Sequence, residues 1–212
     1  MSEILSLLSA SRPVMSVVTV QSAAEAVPLA RALVAGGLPA IEVTLRTAAG
    51  LEAIRAIVGE VEGAIVGAGT VLTPADMAGA EVAGARFAVS PGATAALLAA
   101  GRDSPMAYLP AVATASELMT GLDAGYTAFK LFPATIVGGV PWLKAMAAVF
   151  PTVKFCPTGG IDLRSAVDFL AQPNVACVGG SWTAPREAVA AGDFERIRAL
   201  AREAVAALGA RA

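Results

Sequence analysis

Lys130 is the residue whose position most strongly indicates covalent chemistry. The chain has only three lysines, and Lys130 alone lies inside an apolar run with the character of a strand, at residues 128–132, whereas Lys144 lies in a helical pattern and Lys154 at the start of a strand. A buried ammonium is costly unless it is paired or neutral, and a neutral lysine amine can form a Schiff base with a carbonyl. The alternative is a structural lysine at a strand end, whose ammonium reaches water along its aliphatic stem.

The alternation of side chains along this strand bears on the choice. Lys130 shares a face with Ala128 and Phe132, while Phe129 and Leu131 point to the opposite face. The Phe129 and Leu131 face is the natural one to pack against helices. We therefore expect Lys130 to point away from the helix layer.

A second strand, residues 40–45, ends in an unusual set of polar residues. Glu42, Thr44 and Arg46 share one face, and the intervening apolar residues share the other. A carboxylate, a hydroxyl and a guanidinium that point inward together are suited to a substrate site. The alternative is that Glu42 and Arg46 form an internal ion pair that only fixes the strand.

The chain contains no histidine. This excludes Ser-His-Asp and Cys-His nucleophile schemes and removes the commonest transition-metal ligand. Acid and base catalysis must therefore fall to Glu, Asp, Lys, Tyr, Cys or water. We expect neither a metal nor another cofactor.

Two glycine pairs follow the last two predicted strands, in Thr158-Gly159-Gly160 and Gly179-Gly180-Ser181. Glycines let backbone N–H groups converge on an anion, and in barrel enzymes the loops after strands seven and eight frequently bind phosphate. The alternative is that both pairs only form tight turns. Two further strand ends offer weaker signals: the hydroxyl of Thr70, and a stiff turn at Pro91 that is more often structural.

Short apolar runs alternate with Ala-rich helical segments along the whole chain. Helix starts are indicated by the patterns Ser22-x-x-Glu25, Thr114-x-x-Glu117 and Thr73-Pro74. The predicted strands number eight: 14–20, 40–45, 64–67, 86–90, 107–110, 128–132, 153–157 and 175–179. Eight such units predict an α/β fold with a single (β/α)8 TIM barrel over residues 1–212, with its active site at the carboxyl ends of the strands. An open doubly wound sheet is the alternative, but no Gly-rich loop follows the first strand.

Composition excludes several classes of partner. The chain of 212 residues is 56% hydrophobic and 15% charged, with a net charge of −2, so we expect neither nucleic acid nor a membrane as a partner. Met1–Arg12 lacks the features of a signal peptide, and no apolar stretch reaches transmembrane length. The two cysteines, Cys156 and Cys177, are too few for a disulfide framework. We expect a cytoplasmic protein with reduced thiols.

Taken together, the strand-end motifs resemble a known family, the 2-keto-3-deoxy-6-phosphogluconate (KDPG) and 4-hydroxy-2-oxoglutarate aldolases. The resemblance runs in order from about residue 14 to residue 201 and rests on six motifs: Glu42-Val-Thr-Leu-Arg46, Val66-Gly-Ala-Gly-Thr70, Ser90-Pro-Gly92, Phe129-Lys-Leu-Phe-Pro133, Phe155-Cys-Pro-Thr-Gly-Gly160 and Gly179-Gly-Ser-Trp182. It implies a metal-free class I aldolase with a (β/α)8 barrel, usually assembled as a homotrimer.

The resemblance also implies a role for each candidate residue. Lys130 matches the Schiff-base lysine and Glu42 the general acid and base. Arg46 and Thr70 match residues around the pyruvate carboxylate and carbonyl. The remaining substrate-binding residues are the pocket walls Pro91 and Phe132, the hydroxyl of Thr158, and the phosphate cradle of Gly159, Gly160, Gly179, Gly180 and Ser181. One departure is Ala111, which stands after Pro110 where the family commonly has glycine.

The function implied is Schiff-base cleavage of 2-dehydro-3-deoxy-6-phosphogluconate, a phosphorylated 2-keto acid, to pyruvate and glyceraldehyde 3-phosphate. Alternatives within the class are 4-hydroxy-2-oxoglutarate, which gives pyruvate and glyoxylate, and a galactonate-configured substrate. From other classes, the chain would be a phosphate-binding barrel isomerase or epimerase, or a non-catalytic sugar-phosphate binding protein. The missing histidines and the inward lysine argue against the isomerase, and a binding protein would leave Lys130 without a purpose.

Overall fold

A computed structural model describes residues 3–209 and shows a closed barrel of parallel strands surrounded by helices. The strands are β1 (Val14–Val18), β2 (Ala40–Thr44), β3 (Ile65–Gly69), β4 (Phe87–Val89), β5 (Ala107–Leu109), β6 (Ala111–Val112), β7 (Ala128–Leu131), β8 (Lys154–Pro157) and β9 (Val178–Gly180). Neighbouring strands pair in the order β5-β4-β3-β2-β1-β9 and in the order β6-β7-β8.

The two sheets join at two seams to close the barrel. At the first, Pro110 separates β5, which pairs with β4, from β6, which pairs with β7, so these two segments together form the fifth of eight barrel strands. At the second, single bridges join Phe155 of β8 to Val175, which precedes β9, and Thr158, which follows β8, to Gly179 of β9. The predicted (β/α)8 barrel is thereby confirmed.

Some predicted strand limits were wrong. The third strand continues to Gly69, two residues beyond the predicted end, and β1 ends at Val18 rather than Val20. The last strand begins at Val178 rather than Val175 because the backbone there changes partners: Ala176 donates to the carbonyl of Phe155, and Val178 donates to that of Pro13. Residues 175–179 therefore do not form one continuous strand, because they pair with β8 first and with the strand on the other side afterwards.

The helices alternate with the strands and cover the barrel, except for α1, which precedes β1. They are α1 (Glu3–Ala10), α2 (Ala23–Ala35), α3 (Gly50–Glu60), α4 (Pro74–Val82), α5 (Ala95–Asp103), α6 (Ala115–Asp123), α7 (Gly139–Val149), α8 (Leu163–Leu170), α9 (Arg186–Ala190) and α10 (Phe194–Leu208). In residues 3–209, no helix has the length and apolar character needed to cross a membrane.

Helix caps follow the sequence at two of the three predicted starts. Thr73 and Thr114 both complete capping boxes, the first with Asp76 and the second with Glu117. The predicted box at Ser22 is wrong, since the Ser22 hydroxyl makes no cap hydrogen bond. The Glu25 carboxylate instead accepts a hydrogen bond from the N–H of Gln21 at 2.9 Å.

Two apolar layers fill the molecule. The larger lies between the strands and the helices, and the smaller fills the barrel interior with Met15, Phe87, Leu109 and the two cysteines. Leu7 and Leu8 of α1 pack against this inner layer. Because the interior is filled by apolar side chains, the few polar side chains within it stand out.

Candidate active site

Lys130 and Glu42 form a buried ion pair inside the barrel. Lys130 Nζ lies 3.0 Å from Glu42 Oε1 and 3.3 Å from Oε2, so the ammonium donates to both carboxylate oxygens. The residues are 5% and 2% exposed. The Lys130 ammonium also lies 5.2 Å from the centre of the Phe132 ring, within cation–π range. The pair joins β7 to β2 across the barrel, between residues 88 positions apart in the sequence.

This geometry excludes one interpretation of Glu42. The expected alternative, an internal ion pair with Arg46, is wrong: Glu42 pairs with Lys130, and within residues 3–209 Arg46 has no acidic partner within 4.0 Å. Arg46 is exposed at the end of the strand, and its guanidinium is free to bind an anion. Snorkelling of Lys130 to water is equally inconsistent with its burial.

Glycine at position 69 makes room for the Glu42 carboxylate. A Cβ added to Gly69 would lie 2.3 Å from Glu42 Oε1, closer than any real contact allows. The next residue, Thr70, has a φ of 59°, which is a rare conformation for a β-branched residue. Strain of this kind concentrates at functional sites, and Thr70 directly follows β3, the strand beside that of Glu42.

A cavity of about 500 Å³ opens at the carboxyl ends of the strands. Its wall combines predicted site residues from four parts of the chain: Arg46, Phe132, Thr158, Gly159, Gly160, Gly179, Gly180 and Ser181. Lys130 and Glu42 are not in this wall, and Phe132, which contacts Lys130, connects the ion pair to the cavity. Thr70 and Pro91 also lie outside the wall, although the resemblance assigns both to the substrate site.

The two glycine loops approach each other closely at this cavity. A Cβ on Gly179 would lie 2.1 Å from Thr158 Oγ1, and a Cβ on Gly160 would lie 2.1 Å from Thr135 Oγ1. Gly159 and Gly160 also have positive φ values of 102° and 75°. A larger residue at Gly179 would therefore separate the two loops, and one at Gly160 would displace Thr135, which follows β7.

The sequence matches a protein-family model described as aldolase: KDPG and KHG aldolase, over residues 5–200. The chain belongs to this family. KHG denotes 4-hydroxy-2-oxoglutarate. The KHG/KDPG aldolase of Escherichia coli K12 is 52% identical over 193 residues, covering 91% of each chain.

Solved structures of two aldolases have the same fold. The KDPG aldolase of Legionella pneumophila, with pyruvate captured at low pH as a covalent carbinolamine intermediate, aligns with a TM-score of 0.93 at 46% identity and covers 96% of this chain and 98% of its own. The aldolase of Zymomonas mobilis ZM4 with 3-phosphoglycerate aligns with a TM-score of 0.88 at 50% identity, covering 94% of each chain.

Ala111, the departure from the family pattern, lies beside the lysine of this aldolase. It pairs in register with Lys130 on the neighbouring strand, and the Lys130 N–H donates to the carbonyl of Pro110 at 2.9 Å. Paired residues of parallel strands project to the same side of the sheet, so the Ala111 methyl group occupies space near the Lys130 stem. Compared with glycine, this methyl group leaves less space inside the barrel beside Lys130, while the pairing of β6 with β7 is kept.

Several residues of the aldolase cavity were missed by sequence analysis. Thr19 follows β1 and shares a hydrogen bond of 2.8 Å with Thr44, and both Thr19 and Val17 line the cavity. Alternation along the first predicted strand places these two on one face and could have identified them. Arg186 and Glu187 also line it, but they belong to the start of a short helix for which no motif was recognised.

Two thiols lie deeper inside the barrel of the aldolase. Cys156 Sγ and Cys177 Sγ are 3.6 Å apart, and both residues are buried and unbridged. The hydrogen bond to Cys156 and burial raise the pKa of the Cys177 thiol well above its usual value. A thiol held in its protonated form is a poor nucleophile, so Cys177 has the character of a packing residue.

Proposed function

We propose that the chain is a class I aldolase that cleaves 2-dehydro-3-deoxy-6-phosphogluconate to pyruvate and glyceraldehyde 3-phosphate through a Schiff base on Lys130. The observation that carries the proposal is the buried Lys130–Glu42 pair beside a cavity with two glycine loops. The covalent carbinolamine in the Legionella enzyme and the phosphorylated ligand in the Zymomonas enzyme support it.

The ion pair supplies the first proton transfer of the proposed mechanism. Glu42 takes a proton from the Lys130 ammonium across the 3.0 Å hydrogen bond, and the neutral amine attacks the C2 ketone of the substrate. The carbinolamine then loses its hydroxyl group as water, with the proton returned by Glu42. The product is a protonated imine that carries the positive charge originally present on Lys130.

Carbon–carbon cleavage uses the same two groups in new roles. The Glu42 carboxylate, directly or through a water molecule, takes the proton of the C4 hydroxyl. The C3–C4 bond breaks, its electron pair moves into the iminium, and glyceraldehyde 3-phosphate leaves. The remaining enamine is protonated at C3, and hydrolysis of the imine releases pyruvate and regenerates the lysine. No metal is required, because the iminium is the electron sink.

The substrate-binding roles follow from the chemistry at each position. We propose that Arg46 binds the carboxylate at C1, that Thr70 and Thr158 donate to oxygen atoms near C1 and C2, and that Phe132 and Pro91 bound the pocket. The loops at Gly159-Gly160 and Gly179-Gly180, with Ser181, bind the phosphate through backbone N–H groups. Exposed Arg46 and the anion-binding loops supply the local positive potential that a chain of net charge −2 lacks overall.

A second candidate substrate is 4-hydroxy-2-oxoglutarate, because the Escherichia coli relative is named for both activities. It has the same 2-keto acid end and needs no phosphate, so Lys130 and Glu42 would act on it in the same way. The glycine loops and the ion pair do not determine the configuration at C4 of the substrate, so the galactonate-configured epimer should be tested in the same assay.

We further propose that the whole chain works as one catalytic domain, as a homotrimer and in the cytoplasm.

Reductive trapping tests the proposal most directly. The chain is incubated with pyruvate and sodium borohydride, and intact mass and peptide mapping locate the adduct. We expect one N-(1-carboxyethyl) group per chain, on Lys130. Lys144→Arg, which changes an exposed lysine, should trap like the wild type, whereas Lys130→Arg should not trap.

Substrate assays complete this test. Pyruvate release from the phosphorylated substrate should persist after exhaustive chelation with EDTA. An adduct on Lys144 or Lys154, or activity that returns only on addition of a divalent cation, would contradict the mechanism.

A further inference from the structure

Arg186 is a cation at the substrate cavity to which no role has been given. It lies at the first position of α9, five residues after Ser181, and it lines the cavity together with both glycine loops. Among residues 3–209, Arg46 and Arg186 are the two basic residues in the cavity wall. Arg46 follows β2 and Arg186 begins α9, so two guanidinium groups from different parts of the chain line one cavity.

The charges around Arg186 leave its guanidinium available. Glu187 also lines the cavity, but its Oε1 is paired with Arg196 Nη2 at 3.3 Å. On the other side, Arg186 borders a smaller cavity of about 140 Å³ with Glu25, whose carboxylate already accepts from the N–H of Gln21. Within residues 3–209, Arg186 has no acidic partner within 4.0 Å.

The substrate of the proposed reaction has an anion at each end, a carboxylate at C1 and a phosphate at C6. Arg46 follows the strand of Glu42 and is assigned to the carboxylate. The other cation, Arg186, follows the loop of Gly179, Gly180 and Ser181, which lines the same cavity. A guanidinium presents paired donors that match a phosphate group, whereas the loop amides are neutral.

We infer that Arg186 binds the distal phosphate of the substrate and determines the preference of this aldolase for phosphorylated over unphosphorylated 2-keto acids. The inference rests on the proposed function and extends it, since the glycine loops shape the phosphate site and Arg186 adds the charge. The Arg196–Glu187 pair assists by neutralising the carboxylate that would otherwise repel the phosphate or occupy Arg186.

The kinetic test compares two substrates that differ only in the phosphate, 2-keto-3-deoxy-6-phosphogluconate and 2-keto-3-deoxygluconate. The variants are Arg186→Ala, Arg186→Lys and the control Arg202→Ala, which removes an exposed arginine of α10 outside the cavity. For Arg186→Ala we expect the ratio of kcat/KM for the phosphorylated substrate to that for the unphosphorylated one to fall about 10- to 100-fold, the range of a hydrogen bond to a charged group. Arg186→Lys should recover part of the ratio, and Arg202→Ala should leave it unchanged.

A binding measurement separates this inference from the proposed function. Inorganic phosphate is titrated into the wild type and each variant by calorimetry, without any reaction. Weaker phosphate binding by Arg186→Ala, with wild-type binding by Arg202→Ala, would support the role of Arg186. This holds even if the wild type fails to cleave the phosphorylated substrate, because that failure would refute the proposed function and not the phosphate site. An unchanged kcat/KM ratio in an active Arg186→Ala enzyme, or unchanged phosphate binding, would overturn the inference.

Discussion

Replacing Gly69 with alanine should displace the Glu42 carboxylate while leaving both residues of the ion pair, Glu42 and Lys130, unsubstituted. The added Cβ would lie 2.3 Å from Glu42 Oε1, 2.5 Å from Cγ and 2.8 Å from Cδ. To restore ordinary contact, the carboxylate must move by about 1 Å. Gly69 does not have a left-handed backbone, so the effect of the substitution is steric rather than conformational.

The size of the effect follows from how tightly Glu42 is held. The carboxylate is buried and lies 3.0 Å from Lys130 Nζ, so a movement of this size lengthens or misaligns the hydrogen bond. A misplacement of about 1 Å costs on the order of 10²-fold in rate, and overpacking a core costs about 1–3 kcal/mol of stability. We therefore expect kcat to fall about 10²-fold in a folded protein with a lower melting temperature.

Pyruvate release, coupled to lactate dehydrogenase, measures kcat, and thermal unfolding monitors the fold. The matched control is Gly59→Ala, because a Cβ at this exposed helical glycine meets nothing within 4 Å. It should keep full activity and gain up to about 1 kcal/mol of stability. A folded Gly69→Ala enzyme with kcat within about two-fold of the wild type would refute the inference that the position of the Glu42 carboxylate limits the reaction.

Two further predictions concern Glu42 and the thiols. Glu42→Gln should lower kcat by about 10²- to 10⁴-fold, because the amide keeps the shape of the side chain but cannot transfer a proton. Pyruvate should still be trapped on Lys130 over a long incubation, more slowly than in the wild type, with water taking the ammonium proton in place of Glu42. A nearly fully active Gln variant would leave Glu42 a structural role only. Iodoacetamide at pH 8 should label neither Cys156 nor Cys177 in the folded protein and both after unfolding, because both are buried and the raised pKa keeps the Cys177 thiol protonated at this pH. Rapid labelling of the native chain would show that the barrel interior opens.

Much of the fold could be predicted because its signals are local. Alternation along a strand has a period of two, so the inward direction of Lys130 and Glu42 follows from their apolar neighbours. The capping box at Thr114 depends on four consecutive residues, and the helix start at Thr73 on a cap residue followed by proline, so both starts could be predicted. At Ser22 the Ser-x-x-Glu pattern did not form a box, because the Glu25 carboxylate accepts from the N–H of Gln21 instead of that of Ser22. The motif does not determine which of these two neighbouring N–H groups is the donor.

What could not be predicted depends on contacts across the barrel. Nothing in the pattern of either strand indicates that Glu42 meets Lys130 rather than Arg46, since the partner lies 88 residues away and the alternative only four. The division of the fifth strand at Pro110 has a similar origin. Proline lacks an N–H donor, and the segments on either side of it pair with different neighbours. Arg186 was missed because only the closed barrel brings α9 to the same cavity as β2.

The glycine pairs show why a structural and a functional interpretation need not exclude each other. Gly179 and Gly160 are required by the hydroxyl groups of Thr158 and Thr135, each of which a Cβ would approach to 2.1 Å. A bulky residue at either position would therefore displace a neighbouring threonine as well as narrow the anion site. Because Thr158 is itself a proposed substrate contact, losses with phosphorylated and unphosphorylated substrates would be expected together. Arg186 lacks this ambiguity, since it is exposed and has no described acidic partner. Its replacement removes charge from the cavity while leaving the loops packed, so the phosphate can be tested separately from the turn that surrounds it.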